Sequence, residues 1–274
     1  MPEGDTIHRL ARRLAAVMKD REVARFEGRA PKLANAPLEG RLVRDVRARG
    51  KHLLMDFEGG WILHSHLRMK GGWSMVRGGR WPRPKRAVDA VLVMDSGATI
   101  VGYDLAIAET LRDERRSPLL RSLGPDLLAA DFDAAEAALR FRRVGSLPLG
   151  DAVMRQNLVA GIGNVYKSEL LFLTGLHPLQ RVDQTEDAAL VALLERGRTL
   201  LKRNLRGGPR VTRKRHEGGR LWVYGRKGEL CRVCGTPIEL VRQGRDLRST
   251  YFCPSCQPRL GEESSAQPVS EGDA

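Results

Sequence analysis

The sequence predicts a multidomain α+β protein in which a β-rich first half precedes a helical second half and a cysteine module. Period-2 apolar runs bounded by glycine turns occupy the first half, and helical apolar spacing begins after Gly124-Pro125. Two CxxC pairs lie near the end of the chain. The 274 residues are enough for two or three units.

A helix is predicted to begin within the first six residues, with Asp5 or Thr6 as its N-cap. Apolar residues recur behind this cap at the spacing of one helix face. They are Ile7, Leu10, Ala11, Leu14, Val17 and Met18.

Two antiparallel hairpins are predicted next. Apolar residues recur with period two in 53–57 and 61–65, on either side of a Gly59-Gly60 turn. The run 88–94 has the same period and ends at an Asp95-Ser96-Gly97 turn. Four helices are predicted in the second half. Their ranges are 131–142, 148–156 behind Ser146 as N-cap, 165–173 before Gly175, and 186–205.

Positive charge is concentrated toward the C-terminus. The chain has 47 lysine and arginine residues against 33 acidic ones, a formal net charge of +14. Residues 202–259 hold 15 basic and 4 acidic residues, whereas 261–274 hold 4 acidic residues and have the composition of a disordered tail. This balance favours a polyanionic partner such as nucleic acid, although a basic run is as often a solvated face.

The sequence contains no 18-residue apolar run, and no basic region followed by an apolar stretch at its start. Neither a membrane span nor a secretory signal is therefore predicted. We expect a cytoplasmic protein that makes no membrane contact and acts as a monomer.

The four cysteines form two CxxC pairs separated by eighteen residues. They are Cys231, Cys234, Cys253 and Cys256. In a reducing compartment this spacing indicates a metal site rather than disulfides. Four thiolates close a tetrahedron around one Zn²⁺ and leave no open coordination position, so a structural ion is predicted over a catalytic one. Residues 236–242 and 247–252, between the pairs, are predicted to form a β-hairpin.

Two features near this module fit a phosphate ligand. Arg248 follows the predicted hairpin turn at 243–246, and a guanidinium held on a rigid hairpin can bind phosphate in bidentate fashion. An exposed arginine that serves solubility is the alternative. The stretch Gly161-Ile162-Gly163-Asn164 precedes a predicted helix, whose first amides can hold a phosphate with Asn164 as a further donor. A tight joint between two helices explains the same glycines.

The first residues contain a candidate nucleophile. Cytosolic processing is expected to remove Met1 ahead of the small residue Pro2 and to leave a secondary amine. A terminal amine has a lower pKa than lysine, so about a tenth of it is unprotonated at neutral pH. Glu3 beside it can move protons. Taken alone, Met-Pro-Glu is also an ordinary start for a protein without such chemistry.

Five stretches along the chain carry a family resemblance. They are MPEG at 1–4, GKHLL at 50–54, HLRMKG at 66–71, QNLVAGIGNVYKSE at 156–169, and the module from VYGRKGELCRVCGTPI to CPSCQ. In this order and spacing they resemble the formamidopyrimidine-DNA glycosylase and endonuclease VIII family of DNA repair enzymes. The resemblance spans nearly the whole chain.

The resemblance implies an N-terminal antiparallel β-sandwich with flanking helices over residues 1–125 and a helix-two-turns-helix DNA-binding domain over 126–220. A zinc β-hairpin over 221–260 and a disordered tail over 261–274 complete the expected organisation. Damaged DNA, duplex or single-stranded, is expected to bind in the cleft between the halves. The implied activity is that of a bifunctional DNA glycosylase and abasic-site lyase of base excision repair.

Family motifs also imply roles for three residues of the first half. Pro2 matches the nucleophile that attacks C1′ of a damaged nucleotide and forms a Schiff base, which permits β,δ-elimination. Glu3 matches the acid that assists opening of the sugar ring. Lys51 matches a lysine that contacts phosphate near the lesion and aids sugar protonation.

The remaining matches concern DNA contacts. Asn164 and Arg248 match the family's phosphate clamp, although the hairpin that carries Arg248 is about two residues longer than usual. Met69 matches a position whose side chain enters the space vacated by the extruded base. An ordinary core methionine after a strand is the alternative for Met69.

Two departures from the family pattern bear on the substrate. The formamidopyrimidine branch typically begins MPELPE and carries an Arg-Arg-Phe-Gly loop, whereas this chain begins MPEGDT and reads VGYDLAIAE at 101–109. The MPEG start is similar to the endonuclease VIII branch, which favours oxidised pyrimidines, so a preference for pyrimidines is predicted. Two other functions stay open: a lyase that acts only on abasic sites, and a non-catalytic zinc protein that binds damaged DNA.

Overall fold

A computed structural model describes residues 2–76, 83–213 and 219–261. The chain divides between Ser122 and Leu123 into two compact units. The expected tail, apart from Gly261, lies outside the described residues. Within the described ranges, no helix is both long enough and apolar enough to cross a membrane.

Helix α1, Gly4–Met18, opens the N-terminal unit and confirms the helix predicted there. Asp5 or Thr6 as its N-cap is wrong. Glu3 has the extended backbone of an N-cap, and its carbonyl accepts the backbone N–H groups of Thr6 and Ile7 at 2.9 and 3.1 Å. Asp5 is buried in the first turn instead, where the positive end of the helix dipole favours a carboxylate.

Two four-stranded antiparallel sheets form most of this unit. One has the strand order β1-β6-β7-β5, and the other has the order β2-β3-β4-β8. The strands are β1 Val23–Gly28, β2 Val43–Arg49, β3 His52–Phe57, β4 Trp61–His66, β5 Gly72–Val76, β6 Val88–Met94, β7 Thr99–Tyr103 and β8 Ile107–Leu111. A short helix, α2 at Pro118–Arg121, follows them. Both predicted hairpins are confirmed, since β3 pairs with β4 and β6 pairs with β7.

The two sheets and α1 share one hydrophobic core, as the expected sandwich requires. Met55 and Leu63 from one sheet pack in the same buried cluster as Leu92 and Ile100 from the other, and Leu14 contributes from α1. Burial of each such side chain contributes about 1.5–3 kcal/mol. The helix next to the N-terminus is therefore fixed to the core of this unit.

The C-terminal unit is helical up to its zinc module. Its helices are α3 Ala134–Arg142, α4 Leu149–Ala152, α5 Asn164–Leu173 and α6 Asp187–Arg203. Three of the four predicted helices are confirmed, two with shorter ends (α3 and α6) and one, α5, beginning one residue earlier than predicted. The helix predicted over 148–156 is wrong beyond its first turn, because the next backbone N–H groups bond three residues back, Met154 to Asp151 and Arg155 to Ala152. Pro148 rather than Ser146 is its N-cap.

The predicted hairpin between the cysteine pairs is confirmed. Strand β9, Glu239–Gln243, pairs antiparallel with β10, Arg248–Phe252. Gln243 lies opposite Arg248, and this pair encloses the four-residue loop 244–247. Ile238 and Cys253 join the buried cluster formed by α5 and α6. The hairpin is therefore part of the core of the C-terminal unit.

Candidate active site, nucleic-acid contacts and metal centre

Pro2 and Glu3 directly precede α1. Pro2 is half-buried, and Glu3 has no exposed surface. The backbone of Glu3 caps the helix, but its side chain makes no capping hydrogen bond. A buried carboxylate therefore lies beside Pro2 at the positive end of the helix dipole, where negative charge is stabilised.

Lys51 lies in the tight turn between β2 and β3. Gly50 before it has φ of 58°, a left-handed conformation that glycine adopts without strain. Lys51 is half-buried, and its charge acts on His66. Burial lowers the pKa of His66 to about 4, and the nearby Lys51 charge is the next largest cause.

Sequence reasoning missed a buried polar chain beside Lys51. His52 Nδ1 lies 2.9 Å from His64 Nε2, and His64 Nδ1 lies 3.1 Å from Glu109 Oε1. Lys32 Nζ donates to the other carboxylate oxygen of Glu109 at 2.9 Å. The signal was the period-2 placement of His64 and His66 on β4, which puts both rings on the sheet face that His52 shares.

The carboxylate at the end of this chain fixes the ring protons. Burial would raise the pKa of Glu109, but the hydrogen bonds of Lys32 and His64 lower it below its ordinary value. The ionised carboxylate can only accept a hydrogen bond, so the ring proton of His64 lies on Nδ1. His64 Nε2 is therefore unprotonated and accepts from His52 Nδ1–H. Because burial lowers the pKa of His52 to about 3, both rings are neutral at physiological pH and add no cation beside Lys51.

This histidine cluster predicts a pH-dependent stability. As pH falls from 6.5 toward 4, the unfolded chain takes up protons on His52 and His66 that the folded chain does not, so stability is lost in this window. We expect the His52 contribution alone to lower the free energy of unfolding by about 2 kcal/mol between pH 7 and pH 5. Urea unfolding at pH 7, 6 and 5 measures it, and His52→Leu should remove this part. A flat wild-type profile would contradict the assignment.

Met69 is not a core methionine. Its side chain is 63% exposed, in the turn that follows β4, and Arg68 before it has φ of 47°.

The stretch 101–109 contains the connection between two strands of the N-terminal unit. It runs from β7 into β8 through residues 104–106 alone, and Leu105 packs against the N-terminal core. The connection between β7 and β8 is therefore three residues long.

Asn164 and the residue after Arg248 are in direct contact. Asn164 is the first residue of α5, is 6% exposed, and donates from Nδ2 to the carbonyl of Ser249 at 2.9 Å. Arg248 is the first residue of β10. The structure therefore brings these two predicted DNA contacts together through the hairpin backbone, and one amide proton of Asn164 is used to hold the hairpin.

Two further polar residues of α5 hold the zinc module, and sequence reasoning did not single them out. Ser168 Oγ accepts the backbone N–H of Tyr251 at 3.2 Å. Glu169 is fully buried and accepts three consecutive backbone N–H groups, those of Trp222, Val223 and Tyr224, at 2.8–2.9 Å. The motif NVYKSE thus anchors the hairpin and the segment before it to one helix.

The cysteine sulfurs form a compact ligand set. All four Sγ atoms lie within 4.8 Å of one another, with separations of 3.4–3.7 Å between three pairs. A tetrahedral zinc with arms of about 2.3 Å requires sulfurs about 3.8 Å apart, so the set fits the ion. A hydrogen bond between Cys253 and Cys231 lowers the pKa of the Cys231 thiol to about 5, and the same hydrogen bond together with burial raises the pKa of Cys253.

Three family models match the chain in order. The formamidopyrimidine-DNA glycosylase N-terminal domain matches residues 1–107, and the H2TH domain of the same family matches 123–215. The zinc finger found in this glycosylase and in isoleucyl-tRNA synthetase matches 228–259. The chain belongs to the formamidopyrimidine-DNA glycosylase family. The matched zinc finger contains all four cysteines, which hold one structural zinc ion.

Curated members of the formamidopyrimidine-DNA glycosylase family match over nearly the full length. A protein of Streptomyces coelicolor named "Probable endonuclease 8 2" is 39% identical over 98% of this chain and 99% of its own length. A "DNA-(apurinic or apyrimidinic site) lyase" of Mycolicibacterium smegmatis is 38% identical over 94% of this chain and 99% of its own.

A solved structure of the same family has a similar fold. The Lactococcus lactis glycosylase, crystallised with an abasic-site DNA, is 24% identical with a TM-score of 0.79 over 94% of this chain and 100% of that chain. The predicted architecture of an antiparallel sandwich, a helical domain and a zinc hairpin is therefore confirmed.

Proposed function

We propose that the protein excises oxidised bases from DNA and cleaves the strand at the abasic site, with Pro2 as nucleophile. The placement of Pro2 and Glu3 supports this most directly. Once Met1 is removed, the nitrogen of Pro2 is a secondary amine beside a fully buried carboxylate. Such an amine is unprotonated more often than a lysine at neutral pH, which makes it the better nucleophile.

The proposed reaction begins when the Pro2 nitrogen attacks C1′ and the bond from C1′ to the damaged base breaks. The Glu3 carboxylate takes up the proton that the Pro2 nitrogen releases after its attack. It passes this proton to O4′ as the C1′–O4′ bond opens, which leaves an iminium between Pro2 and C1′. Loss of a C2′ proton then expels the 3′ phosphate, and a second elimination expels the 5′ phosphate. Lys51 contacts a backbone phosphate beside this centre.

Access to C1′ requires the damaged nucleotide to leave the base stack, which costs least for a weakly paired base. We assign Met69 to the vacated space, because its side chain is exposed on a strained turn. Asn164 and Arg248 are assigned to the phosphate clamp. Because this activity requires access to DNA, we infer that the protein is located in the cytoplasm and associates with DNA there.

We further propose that oxidised pyrimidines are the preferred substrates. Support comes from the MPEG start and from the three-residue connection at 104–106, which replaces the loop associated with oxidised purines. A lyase restricted to abasic sites is the second candidate, because the Mycolicibacterium smegmatis relative carries that name.

An incision panel separates these candidates. Duplex and single-stranded oligonucleotides carry thymine glycol, 5-hydroxyuracil, 8-oxoguanine or an abasic site, and products are resolved on denaturing gels. We expect incision at both pyrimidine lesions and at the abasic site, with 8-oxoguanine slowest. Incision at the abasic site alone would favour the second candidate. Binding without any incision would contradict both catalytic candidates.

For the clamp, we expect Arg248→Ala to weaken binding to all duplexes and to lower the slope of log K against log salt by about one. The reason is the loss of one phosphate contact and its released counterion. Fluorescence anisotropy at four salt concentrations measures the slope. Arg196→Ala, on α6, is the control variant. Arg226→Ala is unsuitable because the Arg226 side chain is hydrogen-bonded within the zinc module. Equal slopes for Arg248→Ala and wild type would exclude the contact.

A further inference from the structure

The tip of the zinc hairpin holds an ion pair within its own loop. Arg248 Nε and Nη2 both donate to Asp246 Oδ2, at 3.1 and 2.9 Å. Both side chains are open to solvent, with 45% of Arg248 and 69% of Asp246 exposed. The arginine assigned to DNA phosphate is therefore already bound to an anion in the free protein.

The loop conformation places this anion beside the arginine. Gly244 and Leu247 have φ values of 69° and 46°, both in the left-handed region. The Leu247 N–H donates to the Gly244 carbonyl at 3.1 Å, and Arg242 Nη1 donates to the Leu247 carbonyl at 3.2 Å. These bonds close the loop and put residues 246 and 248 on the same side of it.

The charges around the tip make this carboxylate unusual. Between residues 242 and 248 the chain has three arginines and one acid, Asp246. Asp151 on α4 also lies near the loop, since a Cβ added to Gly244 would lie 2.9 Å from its Oδ1. Lys167 and Arg155 already oppose the charge of Asp151. Asp246 is thus the anion that directly competes for Arg248.

We propose that Asp246 is a positioning residue that sets the affinity of Arg248 for backbone phosphate by occupying the guanidinium until DNA displaces it. This inference rests on the proposed clamp. Phosphate must replace the carboxylate on the same donors, and the displaced carboxylate then lies close to a phosphate of like charge. Both effects weaken the contact for every DNA sequence, which limits binding to undamaged DNA by a protein of net charge +14.

The proposal predicts a gain of binding on removal of the carboxylate. Asp246→Asn keeps the size of the side chain and is expected to tighten binding by about two- to tenfold at low salt, with a smaller gain at high salt. The probes are a labelled duplex containing a tetrahydrofuran abasic-site analogue and the undamaged duplex of the same sequence. Anisotropy titrations give both dissociation constants.

The chain offers a matched control. Arg181 and Asp183 form an exposed ion pair at the same sequence spacing, with Arg181 Nε 3.0 Å from Asp183 Oδ1. Asp183→Asn changes the net charge by the same amount and should alter affinity less than twofold. An equal gain from Asp183→Asn would show that overall charge alone is responsible, and would overturn the proposal.

A double-mutant cycle separates this inference from the clamp itself. In the Arg248→Ala background, Asp246→Asn should change binding less than twofold, because the guanidinium through which Asp246 acts is absent. A full gain in that background overturns the proposal. If Arg248→Ala weakens binding but Asp246→Asn gives no gain, the clamp stands and the inference fails. If Arg248→Ala has no effect, the proposed clamp itself fails.

Discussion

Sodium borohydride is expected to trap a covalent complex between the processed protein and abasic-site DNA, and to trap none when an N-terminal tag still precedes Pro2. The tag converts the secondary amine into an amide nitrogen, which has no nucleophilic lone pair. DNA binding should be largely unchanged, because the predicted phosphate contacts Asn164 and Arg248 are unaltered. Gel electrophoresis after reduction measures the complex, and anisotropy measures binding.

Glu3→Gln is expected to lower the trapping rate by about a hundredfold or more, since proton transfer by a positioned side chain typically contributes 10²–10⁴-fold. The substitution keeps the size of a side chain that has no exposed surface. Glu22→Gln, at an exposed position, is the matched control and should trap at the wild-type rate. Equal trapping by tagged and processed protein would move the nucleophile away from Pro2.

Removal of zinc is the second change with a large expected effect. Cys253→Ser should abolish stoichiometric zinc and unfold the module, because binding of such an ion is worth on the order of 10 kcal/mol in folding free energy. Cys253 is fully buried in the core cluster that also holds α5 and α6. We therefore expect the melting temperature to fall and the Arg248-dependent part of DNA binding to disappear.

Elemental analysis of the purified protein and anisotropy at several salt concentrations measure these effects. Glu239→Gln, at an exposed position on β9, is the control and should keep one zinc per chain. A Cys253→Ser protein with full zinc content and an unchanged salt slope would contradict a structural role for the ion.

The hairpins were predictable because apolar residues recur with period two in the sequence of their strands and each turn carries glycine. The zinc site was predictable because cysteine spacing alone restricts the metal. The N-cap of α1 was not, because Asp5 and Thr6 are better capping residues than Glu3 by intrinsic preference. Instead, Gly4 and Asp5 are buried in the first turn, so the helix begins at Gly4 and Glu3 is its N-cap.

The polar contacts between distant elements were the least predictable part of the site. The chain from Glu109 to His52 joins residues more than fifty positions apart, and no local pattern specifies such a contact. The same is true of Glu169, which accepts backbone N–H groups from residues 222–224. The family motif marked Asn164 and Arg248, but only the fold shows that the hairpin backbone connects them.

Glu3 alone separates Pro2 from the first residue of α1, and Gly4, Asp5 and Ile7 are all buried. The first turn of this helix therefore removes the translational freedom that a chain end ordinarily has. For the nucleophile proposed at Pro2, this predicts a high effective molarity toward a sugar carbon placed next to it, because the entropy of bringing the two together is lost on folding rather than in the reaction. Insertion of a single glycine after Glu3 would return that freedom to the terminus without changing any chemical group in the site.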